Sequence, residues 1–479
     1  MAASLLPNVV NFFMLPVYTR FLDPQDFGLV SLVLTLTAVL AAFMGLQLSN
    51  SISRLFFDHD GPTIKVYLST ILFAIIAINA AILLMFHAVG PSLTALLFPN
   101  VVLSYKPYVL LGLVTIFFNG IVNYCNALLR VRERGLTLLL GGICYAILGV
   151  VFAVYFVIYR GLGARGVLLA QACNAACRAL FLLFMVRGDL GLRFSWPILR
   201  GALRYSLPII PHSLGGILFM YTDKYILSFY VPLAAIGLYD LAGRLARLLQ
   251  TVVASFHAAI SPAFMRASQE DKVRTQVEYR SIIMKWSVGV ALLYLCVSVY
   301  AEEIITLLAP PKYHAAHRYV PILAGCYVLR SMQGFAVNAI MFEKKTSVIP
   351  VITFTAGVSN VVLNLILVPH FGVIAAAWTT LASYACAFAL ALGFSRRYYP
   401  MPFQWGLLAV VYGGMLGLLW LSTTIDSGSL ALDIGLKAVL IGLFAGAILW
   451  RNIGGLASDA RLYYRQWRNK CLRHTGPSR

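Results

Sequence analysis

The chain has 479 residues, of which 60% are hydrophobic and only 11% charged, and its mean hydropathy is +0.83. Soluble domains carry roughly 25% charged residues, so a water-soluble enzyme is excluded, and the long apolar runs lack the alternation of a β-barrel. The net charge of +20 does not require nucleic acid as a partner, because a Lys and Arg excess on the cytoplasmic side of a membrane protein accounts for it.

Runs of about 18 or more apolar residues can cross about 30 Å of hydrocarbon at 1.5 Å per residue. They predict fourteen transmembrane helices, over 3–19, 28–48, 67–90, 107–128, 136–159, 166–186, 206–229, 234–256, 281–300, 319–342, 347–368, 371–394, 405–422 and 432–450. The expected fold class is therefore an all-α polytopic membrane protein. The first run lacks a basic n-region and a cleavage site, so it is expected to be retained rather than removed as a signal peptide. Residues 262–280 are amphipathic and are expected to lie along the interface. The tail pairs Leu462, Tyr463 and Trp467 with Arg461, Arg465, Arg468 and Lys470, as an interfacial helix drawn to anionic lipid would. Seven of the eight cysteines fall inside spans and only Cys471 lies outside, with no disulfide framework and no zinc spacing.

Sorting the 37 Lys and Arg residues by side gives orientation. Counting Lys285 and Lys437, near the starts of the ninth and fourteenth spans, with the adjoining loops, the loops after even-numbered spans and the tail hold 25, the opposite side holds seven, and five (Arg178, Lys224, Arg244, Arg247, Arg330) lie further within spans. The positive-inside rule then places both termini in the cytoplasm. It also requires 234–256 to cross the membrane despite its charges, since otherwise Lys344, Lys345, Arg396, Arg397 and the basic tail would face outward.

The two halves resemble each other. Phe27-Gly28-Leu29 matches Ile236-Gly237-Leu238 at an offset of 209, Leu96 to Pro99 matches Leu307 to Pro310 at 211, and Leu162-Gly163 matches Phe371-Gly372 at 209. An offset held this closely predicts duplication of a six-helix unit, and the even helix number makes it a parallel repeat. The expected organisation is a first bundle over 1–190, a second over 191–400, two further helices over 401–452 and a cytoplasmic basic tail over 453–479. Two such bundles flanking a midplane site form the architecture of an alternating-access transporter.

The chemistry concentrates in the spans. Asp240, Arg244 and Arg247 share one helical face, and Arg178 and Arg330 sit at similar depth in other helices. A charge at the bilayer centre costs roughly 2.5–3.5 kcal/mol on insertion scales, so such groups usually face a cavity. A mostly positive set points to an anionic cargo, and arginines suit a pyrophosphate through bidentate hydrogen bonds. At the 209 offset Asp240, Arg244 and Arg247 correspond to Ser31, Thr35 and Ala38, so the charge belongs to one copy only. Asn119, Asn123 and Asn126 stripe one face of the fourth span, either as interhelical glue or as a polar wall for sugar hydroxyls. Asn360 and Asn364 read the same way. Asp223 and Asp240, acids within the seventh and eighth spans, are candidates for proton or sodium coupling, with Lys224 beside Asp223 and Arg20 as a possible ion-pair partner. His314 and His317 have no third ligand for a metal. No Walker motif, phosphate-cradling glycine loop or HExxH is present, so neither catalysis nor a cofactor is expected.

Several loose motifs in fixed order complete the reading: Pro16-Val17-Tyr18-Thr19-Arg20, Leu22 to Gly28 (LDPQDFG), Leu162-Gly163-Ala164-Arg165-Gly166, Ser206-Leu207-Pro208, Asp223-Lys224 and Ile236-Gly237-Leu238-Tyr239. In these the chain resembles the polysaccharide-transporter branch of the multidrug/oligosaccharidyl-lipid/polysaccharide exporter superfamily, the O-antigen or exopolysaccharide repeat-unit flippases. The resemblance implies a MATE-like fold with a cationic central cavity that Arg178, Arg244, Arg247 and Arg330 fit by position. It implies transfer of an undecaprenyl-pyrophosphate-linked oligosaccharide from the cytoplasmic to the outer leaflet of a bacterial inner membrane. Membrane lipids, a glycan polymerase and a chain-length regulator are the partners it implies. The alternatives are a cation-coupled multidrug exporter of the same fold and a flippase for another polyprenyl-linked envelope precursor.

Overall fold

The computed structural model describes residues 14–101, 103–425 and 432–447, and among them the chain is all helical, with no strand. Most of the first expected span, the end of the fourteenth and the whole basic tail lie outside the described residues. Ten of the described helices are long and apolar enough to cross a membrane. Helices dominate because hydrocarbon offers no partner for backbone N–H and C=O groups. The protein is an all-helical, multi-pass membrane protein.

The first half contains α1 (Leu15–Phe21), α2 (Pro24–Ala41), α3 (Leu48–Leu55), α4 (Pro62–Leu97), α5 (Leu110–Val131), α6 (Gly135–Ala153) and α7 (Gly163–Val186). A short α8 (Trp196–Ser206) leads to the second half: α9 (Ile209–Tyr230), α10 (Leu233–Glu270), α11 (Lys272–Val299), α12 (Ala301–Leu308), α13 (Val320–Phe342) and α14 (Val348–Tyr398). Then come α15 (Trp405–Ser422) and α16, over 432–447. Proline marks several helix starts, Pro24 in α2 and Pro232 just before α10 among them, where its missing N–H and fixed φ cost nothing.

The eleventh and twelfth expected spans are two helices, numbered together as α14, that meet at a kink at Gly372, with φ 59° and ψ −137°. Glycine alone tolerates that conformation without strain. The chain folds back on itself there, because Thr379 Oγ1 donates to Asn364 Oδ1 at 2.9 Å, whereas 15 residues of straight helix would separate them by about 22 Å. Residues 262–280 do not form a separate surface helix. They are the end of α10 and the start of α11, with Asp271 at the joint accepting hydrogen bonds from the backbone N–H of Val273 and Arg274, both at 3.0 Å. Phe264, Thr275 and Tyr279 are buried there, and the rings of Phe264 and Tyr279 meet edge to face at 4.8 Å.

At the Lys/Arg-poor end the two halves share one apolar core, in which Leu22, Phe27 and Leu32 join Ile236, Tyr239 and Tyr313. Three smaller cores are more local: one drawn from 48–202, one from 336–391 and one of Met14, Ala153 and Ala170. Polar bonds stitch the shared end. Thr19 Oγ1 donates to the Leu308 carbonyl at 2.9 Å, Tyr313 OH to that of Leu22 at 3.1 Å, and Asn100 Nδ2 to that of Phe229 at 2.8 Å. Lys312 pairs with Asp23 at 2.7 Å.

The closest approach is between α2 and α10. A Cβ on Gly28 would lie 2.0 Å from the Leu233 carbonyl oxygen, and one on Gly237 would lie 2.0 Å from that of Pro24. The two contacts are reciprocal, since 24 and 28 become 233 and 237 on adding the 209 offset.

Candidate functional site

Where α2 and α10 diverge from this crossing, a cleft of about 450 Å³ opens between the halves. Its first-half wall includes Tyr18 on α1, Ser31 and Thr37 on α2, Thr115 and Asn119 on α5, Tyr145 on α6, and Gln171 and Asn174 on α7. Its second-half wall includes Tyr221, Asp223 and Lys224 on α9, Tyr239, Asp240, Arg244 and Arg247 on α10, Tyr327 on α13, and Thr380 and Tyr384 on α14.

Asp240 organises the charged wall. Three cations converge on its carboxylate, which is 3% exposed: Lys224 Nζ donates to Oδ1, Arg244 Nε to Oδ2 at 2.8 Å, and Arg247 Nη2 stands 3.8 Å from Oδ1. Arg244 and Arg247 reach it because residues four and seven apart fall on one helical face. Lys224 reaches it across the α9–α10 turn. Arg244 also lies over the ring of Phe27, 4.7 Å from its centre, and so touches the opposite half. Arg247 is the most open of the three, with a side chain 40% exposed.

Asp223 is held differently. Its Oδ2 accepts from Tyr239 OH at 2.6 Å and its Oδ1 from the Lys224 backbone N–H at 2.7 Å. Among the described residues no cation forms an ion pair with it, and Arg20 is exposed. With both acids ionised, the cluster of Lys224, Arg244, Arg247, Asp223 and Asp240 carries a net charge of one positive unit. Asn360 and Asn364 are buried within α14, where Asn364 Nδ2 donates to the Asn360 carbonyl at 2.8 Å and Asn360 Nδ2 approaches Thr380 Oγ1 at 3.5 Å.

The expected site is thus assembled in part. Asn119, Asp223, Lys224, Asp240, Arg244 and Arg247 line the cleft together, whereas Asn123, Arg178, Arg330 and Arg20 do not. Arg178 lies over the ring of Tyr145, 4.9 Å from its centre, and Tyr145 rather than Arg178 lines the cleft. Arg330 is exposed, about one turn past the lining residue Tyr327, and Asn123 is exposed on α5. Sequence reasoning missed Gln171, Asn174 and the aromatic lining, since neutral polar and aromatic residues carry no insertion penalty large enough to stand out. It also missed that Lys224 pairs with Asp240.

The all-helical membrane fold that carries this charged cleft between two halves is shared with solved structures. The fold matches the lipid II flippase MurJ in an inward closed conformation, with a TM-score of 0.71 over 94% of this chain and 98% of that one at 14% identity. It also matches a multidrug resistance MATE family transporter of the MOP superfamily. The TM-score is 0.69 for the inward-facing conformation, at 15% identity over 85% of this chain and 96% of that one. For the outward-facing conformation it is 0.59, at 16% identity over 82% and 92%.

Residues 1–268 match the family described as "Polysaccharide biosynthesis protein", and the chain belongs to that family. Among curated relatives, the probable low-salt glycan biosynthesis flippase Agl15 of Haloferax volcanii is 24% identical over 264 residues, covering 53% of this chain and 54% of the relative. The probable flippase AglR of the same organism is 27% identical over 180 residues, covering 36% and 37%. The chain spans about half of the first relative's length and less of the second's.

Proposed function

We propose that the protein is a flippase for a polyprenyl-pyrophosphate-linked oligosaccharide, an O-antigen or exopolysaccharide repeat unit on undecaprenyl pyrophosphate. It moves the cargo from the cytoplasmic to the outer leaflet of the inner membrane by alternating access, with both termini in the cytoplasm. The observation that carries this reading is the cationic cluster on Asp240, set in a cleft between two halves, in which Arg247 is open enough to meet a ligand. Family membership and the flippase relatives support it. The two halves are six-helix bundles of one parallel repeat, a reading supported by the reciprocal contacts of Gly28 and Gly237 at the 209 offset. In this conformation the seam is closed at the Lys/Arg-poor end, which suits loading from the cytoplasm. A glycan polymerase and a chain-length regulator act on the delivered cargo. A drug exporter for organic cations fits less well, because Asp240 is already covered by three cations.

The anion reading is tested with the full chain in proteoliposomes, scoring flipping of an undecaprenyl-pyrophosphate oligosaccharide. Arg247→Ala is expected to lower flipping at least about tenfold at normal protein level, the scale of one lost charge-assisted hydrogen bond. Unchanged flipping in both Arg244→Ala and Arg247→Ala contradicts the model. Asp223 is the proposed coupling group, because it is buried, bonded to Tyr239 and, among the described residues, free of an ion pair. If it couples, an imposed proton or sodium gradient accelerates flipping by the wild type and not by Asp223→Asn. An equal acceleration of both rules it out.

A further inference from the structure

The two walls of the cleft differ in chemistry. All five charged lining residues, Asp223, Lys224, Asp240, Arg244 and Arg247, belong to the second half, and the described lining of the first half carries none. In place of charge the first half presents hydroxyls and amides, two of which are buried with an unused polar atom. Ser31 is 1% exposed and Asn174 is 4% exposed, and Ser31 Oγ and Asn174 Oδ1 have no hydrogen-bond partner among the described residues. Ser31 occupies the position equivalent to Asp240 at the 209 offset, so one site in the two copies is a hydroxyl on one wall and a carboxylate on the other.

The orientation of Asn174 is fixed. Its Nδ2 donates to the Tyr145 carbonyl at 3.1 Å, which only an amide nitrogen can do, so the oxygen is the unused atom. The neighbouring helix makes room for this amide through Gly149, where a Cβ would come within 2.9 Å of Asn174 Nδ2. Gln171 precedes Asn174 by three residues on the same face of α7, and Asn119 faces the cleft from α5. A buried acceptor without a donor is costly, and a ligand that donates a hydrogen bond recovers that cost. The wall offers no cation to an anion: Arg178 does not line the cleft.

We propose that Ser31, Asn119, Gln171 and Asn174 form a subsite for the neutral, polyhydroxylated part of the cargo. It faces the anion subsite at Arg244 and Arg247, so the sugar rests on the first half and the pyrophosphate on the second. This rests on the flippase reading above, and it makes the first half the part that reads sugar identity. Hydroxyl groups match the wall because each both donates and accepts, as the unused atoms of Ser31 and Asn174 require.

The test measures binding to the purified full chain in nanodiscs with two probes, undecaprenyl pyrophosphate and the same lipid carrying a neutral trisaccharide. Wild type binds the glycolipid more tightly. Gln171→Leu and Asn174→Leu weaken glycolipid binding about tenfold and leave the bare lipid unchanged, while Arg247→Ala weakens both. Gln171 is only half-buried, so its variant reports even where Asn174→Leu does not fold. The subsite is overturned if the sugar adds no affinity, or if the Gln171 variant leaves both probes alike or weakens both equally. Loss of the Arg247 effect instead overturns the anion reading beneath it, so the two failures are distinguishable.

Discussion

Asp240→Ala is expected to remove most of the folded protein from the membrane, a loss of about 3–5 kcal/mol. The carboxylate is 3% exposed and has Arg244 at 2.8 Å and Lys224 against its other oxygen. Without it, Lys224 and Arg244 lose the carboxylate that both bond, in a low-dielectric interior, which is the costly case for a broken buried pair. The double variant Asp240→Ala/Lys224→Met is expected to recover much of the loss, because it removes a cation together with its partner. Arg247→Ala is expected to fold normally, since that side chain is 40% exposed and 3.8 Å from the carboxylate. Size-exclusion profiles and thermal melting of the detergent-solubilised protein check all three. A wild-type melt for Asp240→Ala would show that the carboxylate does not hold the cluster together.

The second large effect is expected at the helix crossing. Gly237→Val forces a side chain against the Pro24 carbonyl oxygen, 2.0 Å from where its Cβ must sit, and Gly28→Val does the same against Leu233. Both obstacles are backbone atoms, which cannot rotate away as a flexible side chain can. Overpacking of this kind typically costs about 1–3 kcal/mol, and 1.4 kcal/mol already shifts a two-state equilibrium about tenfold. Each variant is therefore expected to drive the halves apart at the Lys/Arg-poor end and to depopulate the closed seam. Spin labels replacing Asp23 and Lys312, which pair across that seam at 2.7 Å, read the change by pulsed electron resonance. A longer or bimodal distance supports the crossing as the closure, and an unchanged distance contradicts it.

How far these features were legible follows from what each residue type reveals. Charges within apolar runs stand out, and helical geometry places Asp240, Arg244 and Arg247 on one face from spacing alone. Spacing within one helix does not fix how that helix is rotated against others: α7 turns Arg178 onto Tyr145, and Arg330 on α13 is exposed outside the cleft lining. That rotation is set by packing against neighbouring helices, which no single span records. The Lys224–Asp240 bond joins residues 16 apart across a turn, beyond the reach of periodicity. Gly28 and Gly237 were visible only as matched landmarks of a repeat, and the structure adds the reason glycine stands there: each has a carbonyl oxygen where a side chain would begin. The gap expected between the eleventh and twelfth spans is the fold-back at Gly372, whose positive φ turns the chain between two helices. Ser31 and Asn174 gave no signal, because a neutral polar residue in a membrane helix more often serves helix packing. Only their unused buried atoms distinguish them.

The central claim is that the cluster on Asp240 receives the anionic head of a lipid-linked glycan. A cryo-electron-microscopy structure of the full chain in nanodiscs with an undecaprenyl-pyrophosphate oligosaccharide tests it most directly. Phosphate oxygens are expected within hydrogen-bond reach of the Arg244 and Arg247 guanidinium groups, with the sugar toward Gln171 and Asn174. A pyrophosphate bound outside the cleft, with both arginines still turned to Asp240, would contradict it.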